Sequence, residues 1–347
     1  MDEVKWEITW RHGRLGILSN GGKLVDVEFY SSTGRAVKPF YEAAWLKETP
    51  PPAEPLLADL RGEFSCLPFG GTYELGEIAP AWRWTDADVA AAGIDRVDSV
   101  GESDILLHGY CAAAPWTLLR RSDTEIEIGV NYPESSPIEK VIRVIKVDPD
   151  AARIFVEMTV FARRKCRQPV GFHPMFSLMG PAGSFTLRAE GFKFAVTHPA
   201  SPAPGISALA KGVVFSALDR APLKDGGVLN LTSLPLINDT EEIVQIAGCP
   251  GKVELEDENC KVVYQLKWNP RWLPSALIWI SNRGRRTAPW NGRNVCIGIE
   301  PVAALFDLGC VASLADNPIS RKNIDTHVSF EPGNARDFSY ELSARFT

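Results

Sequence analysis

The chain has 347 residues, 45% hydrophobic and 23% charged, and a formal net charge of -6 from 37 basic and 43 acidic side chains. That balance is the composition of a water-soluble globular protein and excludes the strongly basic footprint of a nucleic-acid-binding surface. The N-terminus, Met1-Asp2-Glu3-Val4-Lys5, is too charged for a secretory signal, and no apolar run reaches the roughly 18 residues of a membrane span.

Seven scattered cysteines without a Cys-x-x-Cys pair read as reduced thiols of a cytoplasmic protein rather than a disulfide framework or a zinc site. Turn signals recur at short intervals, with 28 glycines and 26 prolines. Taken from the N-terminus, Ile8 to Trp10, Leu15 to Leu18 and Leu24 to Phe29 read as strands, the last two joined by the hairpin signal Asn20-Gly21-Gly22. Glu42 to Lys47 reads as a short helix, stopped by the loop Pro50-Pro51-Pro52. The glycines and proline of Arg61 to Gly71 imply a loop over a concave surface. A segment from Ile105 to Tyr110 carries His108-Gly109, and strands resume at Trp116 to Leu119, Thr124 to Tyr132 and Val141 to Val147. From Arg153 to Phe161 the alternation sends Ile154, Val156, Met158 and Val160 to one face and Phe155, Glu157, Thr159 and Phe161 to the other.

The C-terminal half keeps this rhythm. Phe185 to Leu187, Phe192 to Val196, Val253 to Leu255, Val262 to Trp268, Leu277 to Ser281, Val295 to Glu300 and Phe338 to Phe346 read as strands. Helical periodicity is confined to Ala303 to Leu308 and Val311 to Ala315. Many short strands with frequent turns imply an all-β sandwich or barrel, and with no linker in the composition the chain, 1–347, reads as one domain.

Two residues stand out chemically. His173 lies between aromatics in Gly171-Phe172-His173-Pro174-Met175-Phe176. The proline after it favours extended backbone, so the imidazole belongs at a strand end, where a pKa near 6.5 suits proton transfer. Packing in a core loop is the plainer alternative. Glu300 ends the apolar run Val295-Cys296-Ile297-Gly298-Ile299 and precedes Pro301. A carboxylate at the end of a buried strand must be paired or used, and Arg283, Arg285, Arg286 and Arg293 are the available partners.

The His-Pro-x-Phe-x-Leu segment at 173–178, the Ile-Glu-Pro segment at 299–301, and His108-Gly109 followed by Trp116 together resemble, in order and spacing, the motifs of the aldose 1-epimerase (galactose mutarotase) family. Met175 stands where that family commonly has tyrosine, and Ser177 where asparagine is usual. The resemblance implies a β-supersandwich of large twisted antiparallel sheets around a sugar cleft. It also implies interconversion of the α and β anomers of an aldose without metal or organic cofactor. In that reading His173 protonates the ring oxygen, Glu300 takes the proton of the anomeric hydroxyl, and His108 helps on the ring-oxygen side. Arg61 resembles an arginine that binds sugar hydroxyls, and Asp239 is the match for a hydroxyl-gripping aspartate between His173 and Glu300. The reference pKa values of glutamate and histidine separate base from acid, and the carboxylate is expected to raise the pKa of the imidazole.

Apolar sugar faces stack on aromatic rings, so Trp116, Trp279 or Trp290 is a candidate cleft floor, Trp290 lying nearest Glu300 in sequence. The loop from Asn282 to Arg293 carries four arginines, Arg293 closest to the Glu300 strand. Arginine forks match carboxylate or phosphate, which extends the substrate class to a uronate or sugar phosphate; a solvated loop is the alternative. His12, His198 and His327 read as structural. A carbohydrate-binding protein without turnover, or a different sugar enzyme on the same fold, are the competing functions. The expected partner is a small-molecule sugar, with neither nucleic acid nor membrane, and the chain a monomer or homodimer.

Overall fold

The computed structural model describes residues 3–91, 106–203 and 205–347. Two large antiparallel sheets dominate it. One has nine strands in the order Ser233–Leu234, Phe185–Arg188, Lys252–Asp257, Val262–Trp268, Arg336–Phe346, Arg153–Ala162, Ile138–Val147, Glu125–Asn131 and Thr117–Arg121. The other runs Val214–Phe215, Phe194–Thr197, Thr240–Ala247, Ser275–Asn282, Val295–Ala303, Val170–Phe172 and Ser65–Cys66, with Met175–Ser177 also paired to Val295–Ala303. A four-stranded sheet, Lys5–Trp10, Gly13–Leu18, Leu24–Tyr30 and Ala36–Val37, completes the main layers.

Period-2 alternation explains why these segments sit as they do. In Arg153–Ala162 the side chains of Ile154, Val156, Met158 and Val160 are all fully buried, while Glu157 is exposed. They join one continuous apolar core with Val244, Ile246, Ile278, Ile280, Ile297 and Ile299 from the facing sheet. Two sheets closing on a shared apolar layer are the β-supersandwich.

The second sheet differs in one respect that matters for function. Ser275–Asn282 is buried at all eight positions, and so is Thr240–Ala247. One face of this sheet packs on the core. The other carries Ile243, Leu277, Trp279 and Val302 into a second apolar cluster with Trp45, Phe64, Phe69, Trp290 and Phe306. The chemistry described below lies on that second face.

Several expectations need correction. Glu42–Lys47 is a bridge residue and a turn rather than a helix, since Ala43 is pinned by its N–H to Leu60 O at 3.0 Å. The segment from Ala303 to Leu308 turns, and the helix is Gly309–Leu314. Phe192 precedes its strand, which is Phe194–Thr197. Strand Thr240–Ala247 was missed because its polar residues Thr240, Glu241, Glu242 and Gln245 break the apolar alternation. The segment beginning at Ile105 starts outside the described residues.

A buried ion pair ties the nine-stranded sheet to the loop before Ser65. Arg143 and Glu63 are both fully buried, with Nη2 2.6 Å from Glu63 Oε2 and Nη1 donating to Gly22 O at 2.7 Å. Removing one partner strands the other charge in a dry interior. Arg143→Met is therefore expected to lower stability by about 3–5 kcal/mol in chemical denaturation, while Arg143→Met with Glu63→Leu recovers most of that loss. Additive losses in the double variant would show that the pair is uncoupled.

Candidate active site

The segment around His173 reaches the site through strand register. Val170–Phe172 and Met175–Ser177 both run antiparallel to Val295–Ala303, with Gly171 opposite Val302 and Met175 opposite Gly298. That shared register sets His173 opposite Glu300, and the Ile299 N–H donates to Pro174 O between them at 3.1 Å. His173-Pro174 interrupts the strand without shifting it, because proline needs no ladder donor. The two side chains meet, with His173 Nε2 3.5 Å from Glu300 Oε1 and both residues buried.

The rest of the same face closes around this pair. In register beside Glu300 stand Leu277 and, opposite Gly298, Trp279. Gly298 has to lack a side chain: a Cβ there would lie 2.3 Å from Glu300 Oε1 and 3.3 Å from the Cβ of Trp279. The imidazole of His173 stacks on Phe64, with ring centroids 4.7 Å apart and planes at 18°, and the backbone N–H of His173 donates to Phe64 O at 2.9 Å. His108 meets it edge-on at 4.8 Å. His108 itself has φ of 60°, a left-handed backbone uncommon for a side chain of this size, held by its N–H to Gly70 O at 2.7 Å. The Gly70 N–H points to His108 Nδ1 at 3.4 Å, so the neutral ring carries its proton on Nε2.

His173, Glu300, His108, Phe64, Leu277 and Trp279 line one cavity of about 230 Å³ together with Tyr73, Arg285, Trp290, Asp307 and the leucines Leu56, Leu57, Leu60 and Leu107. Its size suits one small polar molecule. Two of the three candidate tryptophans, Trp279 and Trp290, are on its wall. Trp116 is packed in the main core instead, donating to Cys111 O at 2.9 Å.

Burial governs the electrostatics. Desolvation pushes the Glu300 carboxyl well above the ordinary range, helped by the negative Asp307. It pulls His173 well below its usual value, with His108 adding to the effect, and brings His108 down to about 4. This reverses the expectation that the carboxylate would raise the imidazole: without solvent, the uncharged forms of both groups win.

Three of the sequence candidates stand elsewhere. Arg61 pairs with Asp59 at 2.6 Å and Glu3 at 3.2 Å, Asp239 pairs with Arg283 at 2.9 Å and Arg286 at 3.6 Å, and Arg293 pairs with Glu48. None of the three lines the cavity. Arg285 does, stacked 4.6 Å over Trp290 with Nε 3.0 Å from Glu241. Glu241 is fully buried and also accepts from Trp279 Nε1 at 2.7 Å and Ser281 Oγ at 2.8 Å.

Sequence reading missed Asp307, Tyr73 and the part played by His198. The Tyr73 hydroxyl donates to Asp307 Oδ2 at 2.8 Å and His198 Nε2 to Oδ1 at 2.7 Å. The available signal was Asp307 itself, an acidic residue inside the apolar run that follows Pro301. Among the described residues no group of three or more His, Cys, Asp or Glu side chains is arranged to hold a metal ion. No helix of the described residues is long and apolar enough to cross a membrane.

No family model and no curated protein matches the chain. Solved structures do. A putative aldose 1-epimerase from Escherichia coli K12 superposes with a TM-score of 0.65 at 14% identity, covering 100% of both chains. A GalM/aldose epimerase homologue from C. elegans gives 0.63 at 13% identity and 100% of both chains. A galactose mutarotase-like protein from Lactobacillus casei ATCC 334 gives 0.62 at 14% identity, covering 99% of this chain and 100% of the other. At such identities the likeness is one of architecture, and the architecture of this chain is the galactose mutarotase-like β-supersandwich.

Proposed function

We propose that the cavity is the active site of an aldose 1-epimerase-like isomerase that interconverts the anomers of a neutral sugar. The observation that carries this reading is the His173–Glu300 contact of 3.5 Å in a buried, sugar-sized cavity. Ring opening removes one proton from the anomeric hydroxyl and delivers one to the ring oxygen, so a base and an acid must reach neighbouring oxygens of one molecule. Glu300 takes the first proton and His173 supplies the second. The carbonyl end then rotates, and reclosure with the protons moving back yields the other anomer. His108 supports the ring-oxygen side as a neutral hydrogen-bonding group.

The pair needs a single shared proton throughout. With the pair buried and no sugar bound, that proton rests on Glu300, leaving His173 neutral, which is the arrangement that acts on the open-chain sugar in ring closure. With the cyclic sugar bound, its hydroxyls solvate the charged forms and the proton passes to His173 for ring opening. The positions of Trp279 and Trp290 supply aromatic faces for the sugar ring.

A neutral rather than acidic sugar follows from the arginines. Each of the four in the loop from Asn282 to Arg293 already faces a carboxylate: Arg283 and Arg286 meet Asp239, Arg285 meets Glu241, and Arg293 meets Glu48. The one within the cavity, Arg285, brings its counterion with it.

Polarimetry and NMR exchange on neutral aldoses, uronates and sugar phosphates test the assignment. His173→Ala and Glu300→Gln are each expected to lose about 10²–10⁴-fold in anomerisation rate while still binding sugar; parental rates in Glu300→Gln would end the proposal. Gly298→Ala should fold, because the severe clash is with the movable end of the Glu300 side chain and Trp279 Cβ has to give by only a few tenths of an ångström, yet its turnover should fall towards that of Glu300→Gln as the methyl displaces Oε1. Full activity in that variant would mean that the carboxylate position is not critical.

Stability has its own pH signature. Glu300 has a raised pKa in the folded protein, so the protonated form that folding favours is fully available below the unfolded value of about 4.5. As pH rises above that value the unfolded chain gains by ionising and the folded one does not, until the raised folded pKa is passed. Glu300→Gln should therefore match the parent Tm near pH 4 and exceed it increasingly towards neutrality. A difference independent of pH would show that Glu300 ionises freely in the fold.

A further inference from the structure

We infer that the sugar handled in this cavity is a 6-deoxyhexose, which carries a methyl group where an ordinary hexose carries a hydroxymethyl. The inference rests on the cavity being a sugar site, and it names the class of sugar.

Much of the lining is hydrocarbon. Besides the aromatic walls, the cavity is lined by Leu56, Leu57, Leu60, Leu107, Pro202 and Ile243. The sheet adds to this surface, with Leu277 standing opposite Glu300 in register and Ile243 opposite Trp279. Gln245, the polar residue next along the row from Leu277, is already satisfied. Its amide donates to Ala304 O at 2.9 Å and accepts from Phe306 N–H at 2.8 Å.

The backbone beside these side chains is committed as well. Leu57 N–H donates to Glu54 Oε2 at 2.6 Å, and Leu57 O accepts from Trp45 Nε1 at 2.7 Å. Leu60 O accepts from Ala43 N–H at 3.0 Å, Ile243 O accepts from His198 N–H at 2.9 Å, and Pro202 has no N–H to offer. A hydroxyl delivered to these surfaces gives up water and finds no partner. Leu56, Leu60, Ile243 and Leu277 also pack the second apolar cluster, but Leu57 and Leu107 are only half-buried and leave hydrocarbon open.

The connectivity of a pyranose says which substituent meets that surface. In ring opening Glu300 works at the anomeric hydroxyl and His173 at the ring oxygen. The other neighbour of the ring oxygen is C5, so the C5 substituent lies by the imidazoles. Two apolar side chains line the cavity there. Phe64 has its ring centroid 4.7 Å from that of His173 and 6.0 Å from that of His108, and Leu107 precedes His108 in the chain. Leu107 packs closely over Gly71, where a Cβ would come within 3.1 Å of Leu107 Cδ1. A methyl on C5 buries against Phe64 and Leu107, whereas a hydroxymethyl brings a hydroxyl that neither can bond.

The test measures kcat/KM for anomerisation by NMR exchange, using the full chain and matched pairs of sugars. D-glucose, D-galactose, L-galactose and L-mannose are each set beside the 6-deoxy sugar of the same configuration, and D-xylose, which lacks C6, is added. In the pair turned over best, the 6-deoxy member is expected to exceed its parent hexose about 10- to 100-fold, the range in which a hydrocarbon surface rejects an added hydroxyl. D-xylose should trail 6-deoxy-D-glucose. Leu107→Asn is expected to bring the ratio towards one by improving the hexose, and the ratio in the parent protein is decisive should that variant fail to fold.

Equal or better turnover of the hexose in every pair would overturn the inference and leave the isomerase reading standing. D-xylose surpassing 6-deoxy-D-glucose would do the same, since it would assign a pentose. An unchanged ratio in a folded Leu107→Asn would overturn the place given to the methyl. Preferential binding of the 6-deoxy sugars in calorimetry without anomerisation would uphold the inference and overturn the isomerase reading. Failure of every sugar to bind would overturn both.

Discussion

A single register governs the site. Gly171 opposite Val302 and Met175 opposite Gly298 fix His173 opposite Glu300, across two strands separated by more than a hundred residues of chain. Because side chains alternate with period two, a slip of one residue would turn Glu300 into the apolar core and Ile299 into the cavity. The core itself prevents the slip, since Ile297 and Ile299 are buried against the nine-stranded sheet and cannot exchange faces with Gly298 and Glu300. Packing energy on one face of the strand therefore positions the polar pair on the other.

The same burial sets the chemistry. A sheet buried on both faces offers neither histidine nor glutamate the water that stabilises its charged form, so the pair rests uncharged. Groups held in that state are poised for transfer: an imidazolium formed there gives its proton up readily, and a carboxylate formed there takes one back. Asp307 is the contrasting case, lining the same cavity but less buried and supplied with two donors, and it stays ionised. Neighbouring carboxyls are thus pushed in opposite directions, Glu300 by desolvation and Asp307 by the donors that His198 and Tyr73 supply.

How much of this could be read from the amino-acid order depends on how local each signal is. The alternation of Arg153–Ala162 states its own buried face, and the His-Pro and Ile-Glu-Pro segments carry their chemistry within a few residues. Thr240–Ala247 was hidden for a physical reason: its face towards the site carries Glu241 and Gln245, satisfied by Trp279, Ser281 and the backbone at Ala304 and Phe306, so its polarity looked like that of a loop. Asp307 and its partners Tyr73 and His198 come from three distant segments, and nothing in the spacing of any one announces the others. The arginines erred in the opposite direction. Four in one loop suggested an anion site, but each was answered by an acid from elsewhere, as Arg293 was by Glu48 across most of the chain.

Sequence identity of only 13–14% with similarly folded proteins is consistent with where the constraints lie. Any apolar residues of fitting volume can hold the register, so the strands are free to change. The cavity face is less free. Gly298 has to remain without a Cβ for the Glu300 carboxyl to occupy its place, and His108 has to accept a left-handed backbone to stand beside His173. Asp307 reaches the cavity from a different direction, on the turn that follows the glutamate strand. The His173–Glu300 pair is locked to the sheet while the Asp307 carboxylate is built on a turn, so that side of the cavity can change without disturbing the register that sets the pair.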